Sequence, residues 1–218
     1  MKSYAFVSYQ TADKRVAGRL KSVLAEIEID SFLAHEDITV SEEWRLKILE
    51  EIGKTDIFIC ILSENYFKSA WCVQESGIAA FRAKLPVIPL SIDGTIPQGF
   101  IAHLQSVKVD PKSITIDDLL PAFLKHNFSK GIEILTEQVR QSASFRGAEA
   151  DFQKVLPHIP RMTDEQIKLL LEYAADNYQA HHASLCAHEY IPPLLKSHGH
   201  LLSRKTRSFL KKVCAQYA

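Results

Sequence analysis

Hydrophobic positions follow two periodicities over the first half of the chain and only one over the second. Short β-branched and aromatic runs predict strands over residues 4–9, 31–34, 56–62, 86–92 and 106–109. Between them the apolar residues return every three or four positions, as on one face of a helix. Val16, Leu20, Val23, Leu24 and Ile27 predict the first helix. Trp44, Ile48 and Ile52 predict the buried stripe of a second, with Ser41 at its N-cap and Gly53 near its end. A third helix is predicted from a Ser69 cap to residue 83, and another over 117–125. The run 56–62 is apolar on both faces, which suits the middle of a parallel sheet covered on both sides. Pro89 argues for a place near the sheet edge, or an early end, for the fourth strand. Strand and helix in alternation predict an α/β fold, an open doubly wound sheet of five parallel strands.

Past residue 128 the strand signals vanish. Helices are predicted over 131–142 and 145–156, and Pro157 and Pro160 break the chain. Thr163-Asp164-Glu165-Gln166 is a capping box opening a helix with Ile167, Leu170, Leu171, Ala174 and Tyr178 on one face. Pro192-Pro193 and Gly199 punctuate the remainder of the chain, and 203–217 reads as a basic final helix. The expected organisation is an α/β domain over 1–126 and a small all-helical domain over 127–218.

Composition narrows the function classes. Lys and Arg number 26, and so do Asp and Glu, so no overall charge argues for nucleic acid or a membrane surface as partner. The longest aliphatic runs fall far short of the roughly 20 residues that span a bilayer, and the N-terminus lacks the pattern of a signal peptide. Cys60, Cys72, Cys186 and Cys214 form no C-x-x-C pair and suit free thiols in a reducing compartment, so a cytoplasmic location is expected.

In open α/β sheets ligands bind outside the carboxyl ends of the strands, near the point where strand order reverses. That rule selects Ser8-Tyr9-Gln10, the polar loop 35–40, and 63–69 with the helix it enters. On that helix Trp71 and Glu75 are four residues apart and share a face. Spacing alone describes a packing tryptophan and a solvated glutamate; the position at the ligand edge makes them candidates for chemistry. No G-x-G-x-x-G or P-loop is present, and the places where a phosphoacceptor domain holds acidic residues hold Ser8-Tyr9 and Ser63. His181, His182, Cys186 and His188 match no standard zinc spacing. Cys72 reads as a small packing residue, and Arg204, Lys205, Arg207, Lys211 and Lys212 as a solvated helix face.

Several ordered motifs carry a family resemblance. Phe6-Val7-Ser8-Tyr9, the loop Ala34-His35-Glu36-Asp37-Ile38 running into Ser41-Glu42-Glu43-Trp44, the strand 56–62 with Ser63, and Ser69-Ala70-Trp71-Cys72-Val73-Gln74-Glu75 together resemble a Toll/interleukin receptor (TIR) domain of bacterial type. The resemblance spans residues 1–125 and leaves the helical region outside it. It implies a flavodoxin-like five-stranded sheet, self-association and, as in many bacterial and plant members, cleavage of NAD+ at the nicotinamide–ribose bond. The product would be ADP-ribose, a cyclic ADP-ribose or a conjugate, in antiphage defence or signalling.

The catalytic glutamate of the family's W-x-x-x-E maps onto Glu75, with Trp71 as its tryptophan. Ser8, Tyr9, Asp37 and Trp71 are the expected substrate-binding residues, NAD+ being substrate, with no cofactor and no metal. His35, Glu36, Asp37 and Ile38 correspond to the BB loop, which helps assemble the site between subunits. This loop lacks the glycine of many relatives, with Ser41 near that place. The C-terminal helices are expected to sense a trigger, bind a protein partner or control oligomerisation. The alternative is a non-catalytic module that assembles through TIR–TIR contacts.

Overall fold

The structure, a computed structural model, describes residues 3–34 and 44–217. The chain divides into two units, Met1–Ala122 and Phe123–Ala218, the division falling within one helix.

In the first unit the strands β1 (Tyr4–Ser8), β2 (Asp30–Leu33), β3 (Ile57–Leu62), β4 (Val87–Ser91) and β5 (Val107–Lys108) form one parallel sheet in the order β2-β1-β3-β4-β5. The strand order reverses between β1 and β3, where chain crossovers leave to opposite sides. Every residue of β3 is buried, as its unbroken apolar run requires. Phe6 of β1 stacks on Phe58 of β3 with ring centroids 5.3 Å apart and meets Phe32 of β2 at 5.4 Å, so one row of aromatic side chains crosses three strands.

Pro89 sits inside β4 without breaking the ladder. Ile92 N–H donates to Leu62 O and Val109 N–H to Ser91 O, so even positions of this strand turn toward β3 and odd ones toward β5. The N–H that proline lacks would face β5, and pairing with β5 begins only at Leu90. The edge strand is short where the proline could not have bonded it.

Helix α1 (Lys14–Glu26) buries Val16, Leu20, Val23 and Leu24, as the periodicity predicts. Helix α2 (Trp44–Lys54) buries Ile48 and Ile52 in the aromatic core, but Trp44 is 36% exposed, correcting the expected stripe. Trp44 is the first described residue of the helix, one turn before the stretch that packs on the sheet. The Ser41 cap and the loop 35–40 lie outside the described residues. α2 also buries Glu51, whose carboxylate receives Lys54 Nζ at 2.8 Å, Lys47 Nζ at 3.0 Å and the Tyr4 hydroxyl. Burial pushes its pKa up, but these donors outweigh it and hold the group below its ordinary value.

Helix α3 (Ala70–Phe81) follows β3, and α4 (Ile116–His126) ends the alternation. In the second unit α5 (Phe128–Gln141) starts three residues before its predicted place because Asn127 caps it, accepting from Lys130 N–H at 3.2 Å. Helix α6 (Phe145–Val155) begins where predicted. α7 (Asp164–Asp176) opens on the predicted capping box, with both reciprocal hydrogen bonds formed. It stops before Tyr178 because Asn177 leaves the helical conformation. The Asn177 amide donates to the carbonyls of Val139, Arg140 and Ser142, closing the end of α5, while its oxygen caps α8 (Tyr178–His182). A π-helical turn (Cys186–Tyr190), α9 (Ile191–His198) and α10 (Arg204–Cys214) complete the unit. The prolines at 192 and 193 open α9, where a missing N–H costs nothing.

Candidate active site

The site is built from three segments that converge at the β1/β3 reversal. β1 ends on Ser8, which is fully buried beside Cys60 of β3. After β3 a 3-10 turn (Tyr66–Lys68) turns the Tyr66 ring inward. Ser69 then caps α3, accepting from Cys72 N–H at 3.3 Å. From that start the buried positions of α3 are Cys72, Glu75, Ser76 and Ala79, at spacings of three, one and three. Glu75 is therefore carried into the domain by the same face that packs the helix down.

The polar atoms meet in a chain. Ser8 Oγ donates to Glu75 Oε2 at 2.6 Å and lies 2.8 Å from Tyr66 Oη, which reaches Cys72 O at 3.3 Å. With Glu75 ionised, Tyr66 donates to Ser8 and Ser8 to the carboxylate. With Glu75 protonated, both of those bonds can reverse, and Tyr66 then donates to the Cys72 carbonyl. Burial pushes the Glu75 pKa up to about 7, and the Ser8 hydrogen bond works against it. Burial likewise holds the Tyr66 hydroxyl well above its ordinary value, so it stays a donor. The Cys72 thiol is pushed up to about 11 by burial and is no thiolate nucleophile near neutral pH.

The surrounding loops are tied by short side chains. Ser63 Oγ, just past β3, donates to Asp13 Oδ2 at 2.6 Å. Asp93, just past β4, accepts from Glu64 N–H at 2.7 Å and Thr95 N–H at 2.9 Å. These bonds cross-link the loops after β1, β3 and β4 at the carboxyl edge of the sheet.

The reading that spacing alone gives, a packing tryptophan and a solvated glutamate, is inverted: Trp71 is 40% exposed and Glu75 3%. Ser8 and Glu75 are brought into contact. Tyr9 follows Ser8 and is buried, its ring enclosed by protein. Asp37 and the rest of the BB loop lie outside the described residues. Tyr66 is the member of the cluster to which the sequence pattern assigns no role. The signal for it is a hydroxylated aromatic three residues beyond Ser63, the serine that ends a buried strand. Elsewhere His181 is buried with Nδ1 against Ala174 O, and His182 Nδ1 faces the Tyr217 hydroxyl, so both imidazoles serve the helical packing. Among the described residues no group of three or more His, Cys, Asp or Glu is placed to hold a metal.

A parallel sheet ordered β2-β1-β3-β4-β5 with a buried acid and two hydroxyls at its reversal defines a doubly wound α/β domain with a candidate site at its switch point. Residues 5–124 match the family model described as a TIR domain, and the chain belongs to the TIR-domain family. Among solved structures it is similar to the TIR domain of the Toll-related receptor TRR-2 from Hydra magnipapillata. The identity is 20%, the match covers 58% of this chain and 96% of that one, and the TM-score is 0.45. Comparison with curated proteins finds no match. Among the described residues no helix is long and apolar enough to cross a membrane.

Proposed function

We propose that this chain cleaves NAD+ at the nicotinamide–ribose bond, with Glu75 as its catalytic carboxylate. The observation that carries the reading is a carboxylate buried at the switch point with a hydroxyl and, among the described residues, no cation as its hydrogen-bond donor. Glu51, equally buried, shows the structural alternative: two lysines and a tyrosine neutralise it. A buried acid left uncompensated is costly for folding and suits a ligand that brings the positive charge itself.

NAD+ brings that charge on its pyridinium ring. The C1′–N bond breaks with its electron pair moving to the ring nitrogen, so nicotinamide leaves neutral and needs no proton. The ribose becomes oxocarbenium-like, and an ionised Glu75 stabilises it electrostatically. Water adding to C1′ and releasing a proton gives ADP-ribose; an adenine nitrogen of the same molecule gives a cyclic product. Trp71 offers an exposed ring for the nicotinamide or adenine. Asp37 and its loop would contribute beside a neighbouring subunit.

Glu75 is enclosed in the single chain, so substrate contact requires the Ser8–Tyr66–Glu75 cluster to open. Self-assembly is the proposed trigger, in antiphage defence or signalling. Support comes from the first unit's surface, where Phe81, Phe100 and Ile96 are exposed, a composition suited to a second copy of the chain. The same surface favours the second reading, a module that assembles without turning over NAD+. NAD+ consumption by concentrated protein, with and without Glu75→Ala, separates the two. Turnover lost in the variant supports the enzyme; none in an assembled wild type supports the module.

A further inference from the structure

The helical unit holds a cavity of about 820 Å³ to which neither the TIR fold nor the Glu75 chemistry assigns a role. Its floor is apolar and buried, formed by Ala187, Leu195 and Cys214 with Gly199. Its walls are basic: Lys196 of α9, and Arg207 and Lys211 one turn apart on α10, joined by His188 and His200. Among the described residues no carboxylate lines it, and none of the three cations has an ion-pair partner. The aliphatic stem of Arg207 runs over Gly199, where a Cβ would stand 3.4 Å from Arg207 Cδ.

The structure sorts the basic residues of the last helix. Arg207 and Lys211 face the cavity with Lys196 of another helix, whereas Lys205 and Lys212 are exposed outside it. Like charges gathered round a concave apolar floor repel one another unless an anion enters. Three cations match the charge of a diphosphate, and a flat apolar body suits the floor. A cavity of this size lies within the range of about 300–1,000 Å³ typical of small-molecule sites. A long nucleic acid would be met instead by a basic stripe running on past the rim.

We propose that this cavity binds a nucleoside diphosphate-type ligand, its phosphates on Lys196, Arg207 and Lys211 and its apolar body on the floor. The site is separate from Glu75 and does not depend on the proposed NAD+ cleavage. Calorimetric titration of the full chain with ADP tests it, beside Lys211→Glu and Lys196→Glu, which change exposed residues on two different helices. Saturable binding of one ADP per chain is expected, weakened at least ~10-fold in each variant by the loss of a charge-assisted contact. Glu75→Gln and Lys205→Glu should leave it in place, and adenosine should not bind. No saturable binding at millimolar ADP overturns the proposal, as does equal affinity in both cavity variants. So does loss of binding in Glu75→Gln, an equal loss in Lys205→Glu, or displacement of ADP by a single-stranded oligonucleotide, which would mark a general basic surface.

Discussion

Ser8 Oγ stands 2.6 Å from Glu75 Oε2, joining the last residue of the first strand to the second turn of the third helix. It is the hydrogen bond that opposes the effect of burial on Glu75. Stability, titration and the proposed catalysis therefore meet in one contact.

Glu75→Gln should make the first unit more stable at alkaline pH. The folded pKa of about 7 lies above the ordinary 4.5, so between those values the folded state holds a proton that the unfolded chain has released. Stability then falls as pH rises through that window, by about 3 kcal/mol in full. Glutamine removes the ionisation, so its advantage should be small at pH 5 and approach that figure at pH 8. Both tryptophans, Trp44 and Trp71, lie in the first unit, so urea unfolding followed by tryptophan fluorescence reads this unit selectively. A pH-independent difference would contradict the assigned burial cost.

For the proposed NAD+ cleavage, kcat/KM should rise with pH through one ionisation near 7, because the free enzyme must present the carboxylate. Ser8→Ala removes the opposing hydrogen bond and should displace the profile to higher pH. A profile unmoved by Ser8→Ala would show that another group sets it.

Tyr66→Phe deletes the hydroxyl that reaches both Ser8 Oγ and Cys72 O. Ring packing is kept, so the expected cost is about 1 kcal/mol of stability, with the pH profile displaced in the same direction as for Ser8→Ala. Unchanged kinetics with lowered stability would make Tyr66 a packing residue only.

Much of this arrangement is legible in the sequence because it rests on period and capping. The unbroken apolar run of β3 announces a central strand, Ser69 announces the start of α3, and the position after a central strand singles out Glu75. What spacing does not show is burial, since a glutamate four residues from a tryptophan reads as the solvated member of the pair. Which member turns inward depends on Cys72, Ser76 and Ala79, whose small side chains let α3 lie against the sheet. Trp44 fails for a related reason: the stripe predicts which residues share a face, but not how far along the helix the core reaches. The helical unit is less readable, because Asn177 works at long range, bonding carbonyls up to 38 residues away.

Phe81→Glu with Phe100→Glu should weaken self-association in sedimentation velocity while the folded monomer is kept, both side chains being exposed. Turnover per chain should fall with it if assembly opens the site. Undiminished association would move the interface elsewhere.

The most direct measurement is NAD+ consumption by the concentrated full chain, followed as nicotinamide released, for wild type against Glu75→Gln. Release by the wild type that vanishes in the variant, with the variant folded and still self-associating, is the predicted result. Equal release by both proteins would contradict the role of Glu75, and no release from an assembled wild type would leave the chain an assembly module.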